Sequence, residues 1–220
     1  MSLDELRERA RDWPSRRFSQ AISEGDGISV IPVLRGDVAA LAAAAEAAGA
    51  EAVAVETVDD VRRVRAHTDL PILLRARSAD HGTLVAARAE GTDALSLAYE
   101  ERLAEDELAE LQQAAEDLGL DWALEVRDEG QLEEALDGLD PEIVVLSEAS
   151  SRRDEDDLDR ALDLLPSVPV GKLVVSESAV STRDHVLDLE RAGVDAVIVA
   201  VPESAAGLAD ALRDLLDGQA

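Results

Sequence analysis

The stretch Ala192-Gly193-Val194-Asp195-Ala196-Val197-Ile198-Val199 decides the fold, because the chain repeats its pattern. A helix-compatible run ends near a glycine, and a short β-branched run follows. Glycine enters the left-handed backbone region without a Cβ penalty, so it terminates helices. The apolar run is nearly unbroken, as expected for a parallel strand covered on both faces. Related units occur at 47–55, 90–97 and 118–126. With the intervening apolar runs, eight strands are predicted, beginning near Ile28, Ala52, Ile72, Ala94, Trp122, Ile143, Leu173 and Ala196. Their spacing of about 20–30 residues suits one strand, one helix and two short loops. Eight such units predict an α/β fold, a (βα)8 TIM barrel spanning 1–220 as a single domain.

Ahead of the first strand, residues 1–26 read as an N-terminal helical extension: a helix over 3–13, then Pro14 and a second short helical piece. Asp37, Thr57 with Asp60, and Ser181 with Asp184 are predicted helix starts, the last two at capping-box spacing. The run 150–157 reads as a charged, solvated loop. No cysteine is present, so disulfides and thiolate metal sites are excluded. The acidic N-terminus lacks a signal-like apolar run, and a cytoplasmic, membrane-free protein is expected.

Charge is the extreme property. Forty-nine Asp and Glu face 21 basic residues, for a formal net charge of -28, and Lys172 is the only lysine. Such a chain is repelled by nucleic acid, whose binding depends on Lys and Arg neutralising phosphates. The 46% apolar content argues against disorder. Scarce lysine, abundant Ala, Asp and Glu, and few aromatics resemble the composition of halophilic proteins with an acidic surface.

Function is sought at the strand C-terminal ends, where barrels of this kind carry chemistry. Strand seven reads Leu173-Val174-Val175-Ser176-Glu177-Ser178-Ala179-Val180, and strand five continues as Ala123-Leu124-Glu125-Val126-Arg127-Asp128-Glu129. The first is similar to the V-V-S-E-S-G-I strand of the indole-3-glycerol-phosphate synthase family, the second to its L-V-E-V-H-D-E. Arg17-Phe18-Ser19-Gln20-Ala21-Ile22 resembles the family's lead-in to strand one, and Asp69-Leu70-Pro71-Ile72-Leu73-Leu74 its D-L-P-V-L-R. The resemblance implies a carbon–carbon lyase of tryptophan biosynthesis. That family closes the pyrrole ring of an anthranilate-derived ribulose phosphate, with loss of carbon dioxide and water. It uses a general acid, a proton-shuttling carboxylate and a phosphate anchor, and the resemblance implies no cofactor and no metal.

Carried over residue by residue, the family's catalytic glutamate on strand five falls on Glu125, and its Glu-Ser pair on strand seven on Glu177 and Ser178. Its principal lysine falls on Arg75, whose guanidinium holds anions but is a poor proton donor. The strand-one Glu and Lys fall on Val30 and Pro32. The asparagine ending strand six falls on Ser147, and the arginine after it on Ala149. Ser204 aligns with the strand-eight serine if two residues are inserted at Ala200 to Ser204. The first two βα loops are shortened. Catalytic candidates are therefore Glu125 and Arg75, and substrate-binding candidates are Glu177, Ser178, Ser147 and Ser204. Two readings stay open: a synthase-type lyase, or a non-catalytic paralogue that binds a phosphorylated metabolite or a protein partner. Arg75 and Arg77 flank the end of strand three, and one is expected at the mouth. Glu56, Glu100, Glu125, Glu148 and Glu177 are candidates to ring that mouth. His67, His81 and His185 lack metal-ligand spacing.

The charge excess yields a first prediction. At molar salt the Debye length is about 3 Å, so self-repulsion is screened. Thermal unfolding followed by circular dichroism should show a midpoint that falls as potassium chloride is withdrawn. A midpoint independent of salt would refute the halophilic reading.

Overall fold

The computed structural model describes residues 3–25, 27–99, 105–147 and 156–216. Eight strands form a closed barrel in sequence order, every neighbouring pair parallel, with β8 returning to β1. They are β1 (Ser29–Val33), β2 (Val53–Val55), β3 (Ile72–Ala76), β4 (Ala94–Ala98), β5 (Asp121–Val126), β6 (Ile143–Leu146), β7 (Leu173–Ser176) and β8 (Ala196–Ala200). Each observed start lies within one residue of its expected position.

Two apolar layers make up the core. The inner one fills the barrel and includes Ile31, Val33, Ala54, Leu73, Ala123, Val145, Val175 and Ile198. The outer one lies between strands and helices and includes Val30, Leu74, Trp122, Val144 and Val197. Alternation along each strand assigns successive side chains to the two layers. On β1, then, the inward residues are Ile31 and Val33, one step beyond Val30 and Pro32. The β1 side chains from Val30 to Val33 are apolar on both faces.

The extension comprises α1 (Leu3–Ala10) and α2 (Arg17–Ser23). Phe18 and Ile22 of α2 enter the inner layer and stopper the barrel at its N-terminal end. The helices after successive strands are α3 (Val38–Ala47), α4 (Val58–Arg65), α5 (His81–Ala89), α6 (Glu105–Asp117), α7 (Glu129–Gly138), α8 (Asp156–Leu164), α9 (Arg183–Ala192) and α10 (Ala205–Leu216). Thr57 caps α4 as expected, accepting from the Asp60 amide at 3.1 Å. Asp37 precedes α3 without a side-chain cap bond. The cap of α9 is Thr182, which accepts from the His185 amide, so that start is shifted one residue from Ser181. Residues 150–155 of the expected charged loop lie outside the described residues.

The repeated motif has a second purpose beyond ending helices. Where it reads Gly-x-Asp, the carboxylate accepts a main-chain amide at the N-terminal end of the barrel. Asp93 accepts from Ile72 at 2.9 Å, Asp195 from Val174 at 2.7 Å and Asp121 from Ser19 at 2.8 Å. Asp93 is buried and surrounded by guanidinium groups. Arg65 lies 2.6 Å away, Arg17 3.4 Å and Arg88 3.9 Å. Arg88, itself 1% exposed, donates to the carbonyls of Thr92, Trp13 and Pro14 at 2.8 Å each. Arg65 also stacks 5.2 Å from the centre of the Trp13 ring. The turn between α1 and α2 is thereby fastened to the barrel floor. Among the described residues no helix is long and apolar enough to cross a membrane.

Removing one member of a buried charge cluster strands the others, at a cost of about 3–5 kcal/mol. Asp93→Ala should lose that much in denaturant titrations at molar salt. Burial raises the carboxyl pKa of Asp121 and of Asp195 above the ordinary aspartate value. The folded state therefore holds these protons more tightly than the unfolded chain. Their contribution is full below the unfolded value and is lost as pH rises through the raised one. Asp121→Asn should flatten that part of the stability–pH curve.

Candidate active site

Beyond the inner apolar layer, three ionised side chains converge at the C-terminal mouth. Leu73 faces inward on β3, so Arg75, two residues on, does the same. By the same parity Ala123 brings Glu125 inward on β5, and Val175 brings Glu177 inward just past β7. Strands β3 and β7 stand four places apart in a closed ring of eight, so they face each other across the axis. Arg75 Nη2 nevertheless meets Glu177 Oε2 at 2.5 Å. The ion pair therefore spans the mouth. Arg75 Nε lies 3.7 Å from Glu125 Oε1, and that oxygen accepts from the Ser96 hydroxyl at 2.7 Å. All three charged side chains are mostly buried, at 12–16% exposure.

A second pair sits nearer the rim. Arg35, after β1, donates to Glu56, after β2, at 2.7 Å. The Arg35 hydrogen bond is the leading reason that the Glu56 carboxyl titrates below its ordinary value. Arg35 also feels the charges of Glu177 and Glu203. Gly36 adopts φ +78, and a Cβ there would lie 3.3 Å from the Glu203 carboxylate. Glycine at this position thus admits the β8–α10 loop against the β1–α3 loop. The first two βα loops are short: β1 ends at Val33 and α3 starts at Val38, while β2 ends at Val55 and α4 starts at Val58.

Sequence reasoning points to Arg75, Glu125 and Glu177, and the fold brings them together. The three serines are tied to nearby backbone. Ser178 is 4% exposed, shares a hydrogen bond with the Ser176 hydroxyl, and its carbonyl accepts from Val180. Ser147 donates to the Val126 carbonyl from its amide at 2.9 Å. Ser204 precedes α10 and accepts from the Gly207 amide at 3.3 Å. Glu100, Glu148 and Ala149 lie outside the described residues. His81 opens α5 and is exposed. Among the described residues no group of three His, Cys, Asp or Glu could hold a metal ion. Ser96 and the Arg35–Glu56 pair are not anticipated by the sequence reading. The one available signal is a hydroxyl interrupting Ala94-Leu95-Ser96-Leu97 at an inward position.

The family model for indole-3-glycerol phosphate synthase matches residues 33–205. This chain belongs to that family. It is 32% identical over 219 residues to the indole-3-glycerol phosphate synthase of Streptomyces griseus, covering 90% of this chain and 81% of that protein. It is 36% identical over 141 residues to the one from Bordetella pertussis, covering 64% of this chain and 53% of that protein. The chain thus aligns with only about half the length of the Bordetella relative. Among solved structures, a mutant tryptophan synthase alpha-subunit from Pyrococcus furiosus superposes with a TM-score of 0.70 at 18% identity. That match covers 86% of this chain and 98% of the other. At such identity the likeness is one of fold.

Arg75→Met would leave Glu125 and Glu177 facing each other without their shared cation. Stability should drop by about 1–3 kcal/mol, less than for a fully buried pair because the mouth opens to solvent. Denaturant titration at molar salt measures it.

Proposed function

We propose that the barrel mouth binds a phosphorylated small molecule and does not close an indole ring. The carrying observation is the clamp on Arg75, which meets Glu177 at 2.5 Å and Glu125 at 3.7 Å. A guanidinium stays protonated far above neutral pH, so it cannot deliver the proton that ring closure requires. No lysine substitutes for it. Lys172, the only lysine, precedes β7 at the opposite end of the barrel and pairs with Asp140. Loss of one general acid typically slows a reaction by about 10²–10⁴. Here apolar β1 residues remove two further charges from the same site.

Binding remains chemically reasonable. Arg75 is suited to an oxyanion, and Ser178 and Ser204 lie in the loops after β7 and β8, where (βα)8 barrels often hold phosphate. In this reading Glu125 and Ser147 line the ligand's polar edge. A lyase of the family's type is the second reading, favoured by Glu125, which is inward and oriented by Ser96.

Turnover of the anthranilate-derived ribulose phosphate, followed by indole fluorescence at molar salt, separates the two. We expect no product above background, together with measurable calorimetric heat on adding the same compound. Turnover would overturn the binding-only reading, and absence of heat would overturn binding.

A further inference from the structure

We propose that Glu177 is the resident occupant of an oxyanion seat on Arg75, and that a ligand's phosphate or carboxylate enters by taking Arg75 from it. The seat rests on the binding reading proposed for the mouth and specifies how that site is controlled.

Arg75 is only half used. A guanidinium presents Nε and one Nη as an edge that matches two oxygens of a single anion. Glu177 Oε2 takes Nη2 at 2.5 Å. Nε is buried and has no hydrogen-bond partner. Glu125 Oε1 stays 3.7 Å from it while accepting from Ser96 at 2.7 Å. A free oxyanion is not restrained by a side-chain tether, so it can lie along the whole edge and satisfy both nitrogens. The incumbent is therefore a poorer partner than the anion that would replace it.

Charge balance demands an exchange, not an addition. One guanidinium faces two carboxylates, so the cluster carries a net negative charge. Exchanging Glu177 for a ligand anion keeps Arg75 neutralised, provided Glu177 has somewhere to go. Arg35, which already holds Glu56 at 2.7 Å, is about half exposed, feels the charge of Glu177, and has further N–H groups with which to share a second carboxylate. Glu177 can swing outward to that second cation as the ligand arrives. The observed affinity is then the ligand's intrinsic affinity reduced by the fraction of molecules in which Glu177 has let go. Glu177 thus acts as a specificity-determining residue that rejects monodentate anions and admits ligands able to grip Arg75 with two oxygens.

The test is calorimetric titration of the full chain with inorganic phosphate and, separately, with acetate, in potassium chloride sufficient to keep it folded. Unmodified protein, Glu177→Gln and Arg75→Gln are compared. Glu177→Gln should bind at least one of the two anions about tenfold more tightly than the unmodified protein. Arg75→Gln should bind neither, and the preferred anion distinguishes a phosphate seat from a carboxylate seat. If unmodified protein binds but Glu177→Gln binds no better, the seat proposal fails while the binding reading survives. If neither binds phosphate or acetate, and the ribulose phosphate compound gives no heat, both fail. A measurement without substitution guards against a misfolded variant. The Arg75 Nε–H resonance of unmodified protein should shift when the preferred anion is added, and an unmoved resonance would overturn the seat.

Discussion

The barrel depends on buried Asp93. At the N-terminal end of the barrel some strand amides are satisfied by main-chain carbonyls, while those of Ile72 and Val174 donate to carboxylates. A lost partner for such an amide costs about 1–3 kcal/mol. Asp93 supplies one to Ile72, and its own charge is balanced by Arg65, Arg17 and Arg88. Those arginines hold the turn that delivers α2, whose Phe18 stoppers the barrel. One carboxylate thus links strand alignment, placement of the extension and closure of the interior. Asp195 repeats the arrangement for Val174, with no cation paired to it among the described residues.

The fold is legible in the sequence because its signals are local. A glycine that ends a helix and a run of β-branched residues need no knowledge of distant partners, so each strand can be located within one residue. The site is legible in part. Arg75, Glu125 and Glu177 can be named from motif resemblance, but their meeting cannot, because it depends on two strands about one hundred residues apart facing each other. The side on which β1 residues point is another property that motif comparison alone does not settle. Val30 and Pro32 are the aligned positions, whereas Ile31 and Val33 face the interior. Ser96 escapes notice for a related reason, since only the pairing register of β4 with β5 brings it to Glu125. The Gly-x-Asp carboxylates are visible as part of a repeat, yet their amide partners lie a whole βα unit earlier or, for Asp121, in the extension.

Family membership rests on the framework of this chain, whereas chemistry would rest on the mouth. The framework is held by residues at the stoppered end and in the two apolar layers. The mouth carries no such burden, so its side chains can change without unfolding the barrel. Arg75 gives the mouth a planar, two-pronged cationic contact rather than a point charge.

The ion pair across the mouth also changes the barrel as a mechanical object. Main-chain hydrogen bonds run around the circumference like hoops, resisting stretch but doing little against flattening into an oval. Arg75 and Glu177 form a spoke joining opposite walls, which share no hydrogen bonds of their own. While the spoke is in place, the upper rim is held round. Loss of the spoke would free β3 and β7 to separate and the rim to widen along that diameter, so the ion pair and the shape of the rim are coupled.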